Sequence, residues 1–232
     1  MHSQNFTRPV RIFVIEVVIS LSLILLVADA MAASREALWD IINNCLDISA
    51  LDYCKVCTLP RAESSCKEKF RCEAQLKIWS ESSNYIAMKD RKMCGCTEEF
   101  VHGLALPRAQ VTGVEDPKRP SGIWEFAWNV ALKQISSENT IALVVNPAQH
   151  RSQDQLHVHM VRLKENARKS FPKRSIARTE SMDRVWVIAQ EKAKELKLDD
   201  YGVLVTTHTD GGFVVLVDQE SPEYKFTEAT CR

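Results

Sequence analysis

Polar and apolar side chains alternate with a period of two between residues 155 and 161. This period is typical of a β-strand with one buried face, and it predicts a strand over 156–163. The apolar positions, which we expect to enter the core, are Leu156, Val158 and Met160. The opposite face carries three polar side chains, each about 6.6 Å from the next, namely Gln155, His157 and His159. The pattern therefore predicts a strand that presents two imidazoles on one side.

Similar patterns along the rest of the chain predict further strands and helices. Further strands are expected over 85–89, 99–106, 140–145, 201–207 and 212–217. Helices are expected over 34–44, over about fifteen residues from Ile123, and over 181–196. The turns Cys94-Gly95-Cys96 and Asp210-Gly211 each join two of these strands, and Pro107 is expected to end the second strand of the first hairpin. This order predicts an α+β fold with a mainly antiparallel sheet and flanking helices.

The N-terminus has the pattern of a targeting segment. A polar, basic start is followed by an apolar run over 12–28 and then by small residues. The run has about 17 residues, near the lower limit for a membrane span, and it contains Glu16. We predict a signal sequence or a single N-terminal membrane anchor over 1–32 and one domain over 33–232. The basic flank places that domain in a bacterial periplasm, with any anchor in the inner membrane; a buried core helix is the alternative.

The composition is that of a folded, electrically neutral protein. Apolar residues make up 45% of the 232 residues, and 30 basic side chains balance 30 acidic ones. A disordered or collagen-like chain is therefore excluded. Neutrality also argues against a nucleic-acid partner, because binding to a phosphate backbone relies on a clustered positive surplus.

Eight cysteines support export, since an even number of cysteines in an oxidising compartment usually forms disulfides. Seven of them lie between residues 45 and 96, so we expect a disulfide-stabilised N-terminal segment. Cys231 would then tie down the C-terminal tail. The alternative is a metal or redox site, whose four thiolates would come from Cys54, Cys57, Cys94 and Cys96.

Two imidazoles on one strand suit chemistry at phosphorus. One neutral imidazole can attack phosphorus through a ring nitrogen while its neighbour donates a hydrogen bond to a phosphate oxygen. The same pair, with His102, His150 or a carboxylate, could instead bind zinc. A third interpretation is that these are ordinary surface histidines on an exposed sheet face. His2 and His208 are interpreted as bystanders.

Taken together, the motifs resemble the histidine-triad (HIT) superfamily of nucleotide hydrolases and transferases. The superfamily resemblance rests on the His-x-His strand, on Thr140-Ile-Ala-Leu-Val-Val-Asn146 before it, and on His102-Gly-Leu-Ala-Leu-Pro107. Within the superfamily the chain is most similar to the bacterial CDP-diacylglycerol pyrophosphatase family. That similarity rests on Leu38-Trp39, Tyr85-Ile86, Val145-Asn146, Arg151-Ser-Gln-Asp154, Tyr201-Gly202 and Cys231. The resemblance implies a HIT-like fold and hydrolysis of CDP-diacylglycerol to CMP and phosphatidate, with no metal or organic cofactor.

The resemblance also implies roles for single residues. His157 matches the histidine that takes the nucleotidyl phosphate as a covalent intermediate, and His159 matches the third triad histidine, which contacts and polarises the phosphates. His102 matches an upstream histidine that hydrogen-bonds the other ring nitrogen of the nucleophile through a relay. The positions implied to bind substrate are Asn146, Arg151, Gln153 and Gln155.

Gln155 departs from the family pattern, because the first triad position is normally histidine. An amide can hold a hydrogen bond but cannot carry a proton, and general acid–base catalysis is worth on the order of a hundred- to ten-thousand-fold. Phosphatidate is a stable anion at neutral pH, so it can leave without being protonated. Because a related uridylyltransferase branch also carries glutamine here, transfer to an alcohol is an alternative to hydrolysis.

A basic segment follows the histidine strand, and it suggests contact with a membrane. Between Lys164 and Arg178 there are six basic residues and one acid, Glu165. One interpretation is a loop on anionic lipid headgroups near the site, where each basic residue is worth about 1 kcal/mol; a solvated charged loop is the other. The expected partners are thus the liponucleotide and a membrane lipid surface. The rival functions are hydrolysis or transfer of other nucleotides and a non-enzymatic, metal-binding or disulfide-rich envelope protein.

Overall fold

The computed structural model describes residues 35–45, 78–90, 93 and 96–231. The predicted targeting segment over 1–32 and five of the eight cysteines lie outside these residues. Within the described part, no helix combines the length and apolar composition needed to cross a bilayer.

One antiparallel sheet of eight strands organises the fold, in the order β1-β2-β3-β5-β4-β7-β8-β6. The strands are β1 (Ile78–Glu81), β2 (Tyr85–Lys89), β3 (His102–Pro107), β4 (Ile141–Val145), β5 (Val158–Arg162), β6 (Ile176–Thr179), β7 (Gly202–Thr207) and β8 (Phe213–Asp218). The helices are α1 (Ala37–Asp40), α2 (Ile123–Gln134), α3 (Val185–Leu196) and α4 (Pro222–Phe226), and a π-helical turn, Ile41–Cys45, extends α1. The predicted α+β class with a mainly antiparallel sheet is confirmed.

The sheet has a main hydrophobic core on one face. Helices α2 and α3 cover this face, and their buried tryptophans, Trp124 and Trp186, stack edge to face with centroids 4.7 Å apart. The apolar positions predicted from the period-two pattern, Leu156, Val158 and Met160, belong to this core. Burial of such a face is the main driving force for folding.

The opposite face has two smaller apolar clusters with a polar strip between them. One cluster joins the α1 region to β2 and β3 through Leu38, Ile41, Ile42, Ile86, Met88, Leu104 and Leu106. The other joins Phe171 and Phe226 to β4, β7 and β8. His102 on β3 and His159 on β5 lie on this face and are buried. The side chains of β5 therefore alternate between the main core on one face of the sheet and a buried polar strip on the other.

The histidine strand is shorter than predicted, since β5 begins at Val158 rather than at Leu156. Its pairing with β3 ends at the pair Ala105–Val158. Pro107 has no N–H to continue a ladder, and the backbone N–H of Leu156 donates instead to Val111 in the following loop (2.6 Å). His157 is thus held directly before the first residue of β5, outside the regular hydrogen-bond ladder.

Other boundaries also differ from the sequence prediction. Pro107 was expected to follow its strand, but it is the last residue of β3 and pairs with Tyr85. A proline is tolerated at this position because its missing N–H falls at the end of the strand. The helix expected over 181–196 begins at Val185, after a short 3-10 turn. Strand β6 falls in the basic segment that was predicted to be a loop, and it pairs with β8 at the sheet edge. Strand β1 and helix α4 were also missed.

The C-terminal tail is fixed by a disulfide between Cys96 and Cys231, which are separated by 135 residues in sequence. This confirms the prediction that Cys231 ties down the tail. It also removes Cys96 from the alternative four-thiolate metal site. The tail residue Glu228 adds a backbone hydrogen bond to Arg162 (2.9 Å), so the tail runs beside the end of β5.

Candidate active site

His157 precedes β5 and is 8% exposed, so its ring is almost enclosed. Its Nδ1 lies 2.7 Å from the backbone carbonyl oxygen of Gln155. Since a carbonyl oxygen can only accept, Nδ1 carries the hydrogen, and the neutral ring then has its lone pair on Nε2. Local backbone geometry therefore sets the tautomer that a nucleophile needs.

His159 and His102 form a hydrogen-bonded pair across β5 and β3. In the register of these strands His102 lies opposite Val161, so His159 is its diagonal neighbour on the same face. The Nε2 of His102 and the Nδ1 of His159 are 2.9 Å apart, and the Nδ1 of His102 donates to the carbonyl of Ala229 (3.2 Å). The pair is thus tied to the C-terminal tail.

The role predicted for His102, orienting the nucleophile through a relay, stays a prediction. The strand register gives His102 a bond to His159, and the second ring nitrogen of His157 bonds the carbonyl of Gln155. The rings of His157 and His159 meet edge to face with centroids 4.8 Å apart. His159 is 4% exposed and His102 is fully buried, so the interpretation as ordinary surface histidines is wrong.

Asn146 lies at the end of β4 and joins the histidines to α4. Its Oδ1 accepts a hydrogen bond from the hydroxyl of Ser221 (2.7 Å). Its Nδ2 donates to Oε2 of Glu223 (2.5 Å) and lies 3.5 Å from Nε2 of His159. Asn146 thus lies beside His159, and its predicted contact with phosphate stays a prediction.

Glu223 is a site residue that the sequence analysis missed. It is 1% exposed, its Oε2 lies 3.4 Å from Nε2 of His159, and its Oε1 lies 3.6 Å from Nε2 of His102. Helix α4 reaches the site because Gly202 leaves room for Pro222; a Cβ at Gly202 would lie 2.6 Å from the proline Cδ. The N-cap Ser221 followed by proline was the sequence signal that could have revealed this helix.

Arg151 is buried, and both terminal nitrogens of its guanidinium are paired with a carboxylate. It makes a bidentate contact with Glu115, in which Nη1 lies 2.9 Å from Oε2 and Nη2 contacts Oε1. Burial raises the pKa of Glu115, but the hydrogen bond and charge of Arg151 and a backbone hydrogen bond outweigh it, so the pKa lies below its usual value. A contact of Arg151 with a diphosphate would need this pair to open, and it stays a prediction.

The side chains of Gln153 and Gln155 hold neighbouring segments in place. Gln153 accepts a hydrogen bond from the backbone N–H of Leu38 (3.1 Å), which docks α1. The amide of Gln155 donates to the carbonyls of Pro107 (3.1 Å) and Ala109 (2.8 Å) and accepts from the N–H of Val111 (3.2 Å). Gln155 therefore fixes the loop after β3, and substrate contacts of both amides stay predictions.

The metal interpretation of the histidines has a partial counterpart in the structure. Asp90, His102 and His159 place possible ligand atoms within 4.8 Å of one another. The facing nitrogens of the two rings, however, are bonded to each other, and the second nitrogen of His102 bonds a carbonyl. Both ring nitrogens of His102 and the Nδ1 of His159 thus have hydrogen-bond partners within the protein. His150 lies outside this cluster, on an exposed turn.

Three of the six basic side chains in the segment hydrogen-bond to backbone carbonyls of other elements. Arg168 donates to the carbonyls of Asn139 (2.8 Å) and Thr207, and burial lowers its pKa. Lys164 donates to the carbonyl of Tyr224 (2.5 Å), and Arg178 to that of Gly211 (2.9 Å). The other three, Lys169, Lys173 and Arg174, are exposed. The segment leaves β5 at Arg162, the strand end opposite to His157, and its expected proximity to the site stays a prediction.

Comparison with known proteins assigns the chain to a family. The family model of CDP-diacylglycerol pyrophosphatase matches residues 33–187, which is more than half of the chain. A search of curated proteins finds no match. The matched region contains all three histidines of the site and ends before α4 and its Glu223. The enclosed histidines thus belong to an enzyme and not to a non-enzymatic envelope protein, and the chain is a member of the CDP-diacylglycerol pyrophosphatase family.

Proposed function

We propose that this CDP-diacylglycerol pyrophosphatase cleaves its substrate through a covalent intermediate on His157. Nε2 of His157 attacks the phosphorus of the cytidylyl group, and the bond from that phosphorus to the bridging oxygen breaks. Phosphatidate leaves as an anion, while the ring keeps its Nδ1 hydrogen on the carbonyl of Gln155. The observation that carries the proposal is this 2.7 Å contact, because it leaves the lone pair on Nε2.

The second half of the reaction returns the enzyme to its starting state. A water oxygen attacks the same phosphorus, the P–Nε2 bond breaks and its electron pair returns to Nε2, CMP leaves, and the proton lost by the water goes to bulk solvent. The products are CMP and phosphatidate, and Nε2 of His157 regains its lone pair. The Gln155 amide cannot take the proton of the water, since amides do not titrate in this range. In the first half of the reaction the lack of a proton donor at position 155 matters less, because phosphatidate leaves as an anion.

Replacement of His157 tests the nucleophile. His157→Ala is expected to melt at the wild-type temperature and to release no CMP from CDP-diacylglycerol. His208→Ala is the matched control, because His208 lies in the β7–β8 turn region, where its Nδ1 accepts from the N–H of Asp210 (3.0 Å). Substantial turnover by a well-folded His157→Ala protein would refute the assignment. The reaction needs no metal, so activity is expected to persist in EDTA.

We also propose that the domain over 33–232 is HIT-like and works in the periplasm. A paired-histidine strand at the centre of an antiparallel sheet supports the first part. The Cys96–Cys231 disulfide supports the second, because such bonds persist in oxidising compartments. Residues 1–32 would be the signal sequence or inner-membrane anchor. Protease digestion of intact spheroplasts tests this topology, since a cytoplasmic domain would stay protected.

Contact with membrane lipid is proposed for the exposed basic side chains of Lys169, Lys173 and Arg174. They would attract an anionic lipid surface, with about 1 kcal/mol for each residue. Their joint replacement by glutamine is expected to weaken binding to phosphatidylglycerol vesicles by about 100-fold. Lys133→Gln with Lys194→Gln is the control, because both side chains are exposed on the helices over the main core. Equal losses in the two proteins would show that the segment is merely solvated.

A further inference from the structure

The ring of His157 is bonded to the irregular segment that leads into β5. Residues 151–157 form neither a helix nor a strand in the described structure. Within them, the backbone carbonyl of Gln155 accepts the hydrogen bond from Nδ1 of His157 (2.7 Å). Because this segment lies outside the regular ladder of β5, the position of that carbonyl depends on the elements that hold the segment from either side.

The loop after β3 holds one part of this segment. The side-chain amide of Gln155 donates to the carbonyl of Ala109 (2.8 Å) and accepts from the N–H of Val111 (3.2 Å). The N–H of Leu156 donates to the carbonyl of Val111 (2.6 Å). These bonds act on residues 155 and 156, at the end of the segment that is nearer to His157.

Arg35, just before α1, holds the other part through its side chain. Its Nε lies 3.1 and 3.0 Å from the two carboxylate oxygens of Asp154, and its Nη2 lies 2.6 Å from Oδ1. Its Nη1 donates to the backbone carbonyl of Arg151 (3.1 Å). One planar guanidinium therefore connects the two ends of 151–154, a task that suits a rigid, forked set of donors better than a single ammonium group.

Backbone hydrogen bonds extend this contact. The N–H of Asp154 donates to the carbonyl of Arg35 (2.8 Å), and the N–H of Leu38 donates to the side-chain oxygen of Gln153 (3.1 Å). The hydrogen bond from Arg35 also lowers the pKa of Asp154, so the carboxylate stays charged at neutral pH. The start of α1 is thus tied to Arg151, Gln153 and Asp154.

The exposure of the ion pair points to a positioning role rather than a stabilising one. The side chains of Arg35 and Asp154 are 49% and 30% exposed, and ion pairs of this kind add little to folding stability. The pair does fix the path of the backbone that leads to the Gln155 carbonyl. A reacting group displaced by about 1 Å can lose about 100-fold in rate. A small shift of this backbone therefore matters more for His157 than for the fold.

We propose that Arg35 is a positioning residue for the nucleophile. By fixing 151–154, it keeps the Gln155 carbonyl where that oxygen orients the ring of His157 and holds the hydrogen on Nδ1. The inference rests on the proposed role of His157. In sequence, Arg35 is the third residue after the predicted targeting segment over 1–32, so the residues that directly follow that segment belong to the catalytic unit.

The test measures kcat and KM of Arg35→Ala, Asp154→Asn and the double variant, all in the full chain. We expect Arg35→Ala to lower kcat by about tenfold with little change in KM, and to melt within about 4 °C of the wild type. Asp154→Asn keeps the shape of the side chain and removes its charge, so it should lower kcat less. The double variant should be no slower than Arg35→Ala, because both changes break the same contact.

Arg178→Ala is the matched control and should keep the wild-type kcat. The side chain of Arg178 is 44% exposed, and it donates to the carbonyls of Asp210 (3.0 Å) and Gly211 (2.9 Å). A higher KM with an unchanged kcat in Arg35→Ala would overturn the inference, because it would show that Arg35 binds the substrate directly. Equal losses of kcat in Arg35→Ala and Arg178→Ala would overturn it as well.

Nitrogen-15 NMR of labelled histidine gives a readout that a purely structural role would not move. The signals of His157 are identified by their absence from the spectrum of His157→Ala. In the wild type at pH 8 we expect the ring hydrogen on Nδ1 alone, and in Arg35→Ala we expect a mixture of rings with the hydrogen on either nitrogen. Unchanged His157 signals in Arg35→Ala would contradict the inference.

Failure of this inference can be told apart from failure of the proposed function. If His157→Ala keeps its turnover, the proposed function is wrong, and the role of Arg35 is refuted with it. If His157→Ala is inactive while Arg35→Ala turns over at the wild-type rate, only the role of Arg35 is refuted.

Discussion

The disulfide between Cys96 and Cys231 should support both stability and activity, because it closes a loop whose ends are 135 residues apart in sequence. Loop-closure entropy for a loop of this length gives about 5 kcal/mol of stabilisation. For a domain of this size that corresponds to a decrease of about 10–20 °C in Tm when the bond is absent. The double variant Cys96→Ser/Cys231→Ser removes the bond and leaves the other cysteines unchanged.

Activity should fall as well, because the tail carries the acceptor for His102. The carbonyl of Ala229 lies 3.2 Å from Nδ1 of His102, two residues before the disulfide. Loss of that hydrogen bond from a fraying tail is expected to lower kcat by about tenfold.

The assay follows thermal unfolding by circular dichroism and CMP release in parallel, at a temperature where both proteins are folded. Thr97→Ala, an exposed change next to Cys96, is the control and should match the wild type in both measurements. A double-serine protein that melts within about 3 °C of the wild type would refute the entropy argument, since that corresponds to roughly 1 kcal/mol. Wild-type kcat in the double variant would show that the tail does not orient His102.

Two further variants test the side chains that hold the site's surroundings. Gln155→Leu leaves the backbone groups of Pro107, Ala109 and Val111 without their amide partner and should lower the free energy of unfolding in urea by about 2–4 kcal/mol; a loss below about 1 kcal/mol would contradict the structural role. Glu115→Gln should be less stable than the wild type at neutral pH, because Arg151 loses its charged partner. The pKa of Glu115 is lowered in the folded state, so the wild-type advantage is complete above glutamate's ordinary pKa and disappears as the pH falls through the lowered one; a difference in unfolding free energy that is constant from pH 7 to pH 3 would contradict the pairing.

Much of the sheet could be predicted because its strands have simple sequence patterns. Residues 155–161 alternate with a period of two, whereas β4, β7 and β8 are short, mostly apolar runs that are buried along nearly their whole length. The turn between β7 and β8 has positive φ at Gly211 and Gly212. Strand β6 was not predicted because two of its four residues are half-buried and one is exposed at the sheet edge, among charges that suggested a loop. Five-residue α4 is too short for a helical period to show.

The histidines of the site could be predicted from the sequence, and the residues that contact them less so. His157 and His159 stand in one motif, and the resemblance to the HIT superfamily brought in His102. Glu223 comes from a different part of the chain and has no local motif; only the close approach of α4 at Gly202 places its carboxylate beside His159. The sequence likewise gave no sign that Glu115 would occupy Arg151, because ion pairs between distant residues leave no periodic pattern.

Mass spectrometry of the full-length enzyme, quenched in acid-free denaturant during turnover of CDP-diacylglycerol, tests the central claim most directly. A cytidylyl adduct is expected on the peptide that contains His157, present during turnover and absent once the substrate is consumed. Steady release of CMP with no adduct on that peptide, or with the adduct on another residue, would contradict it.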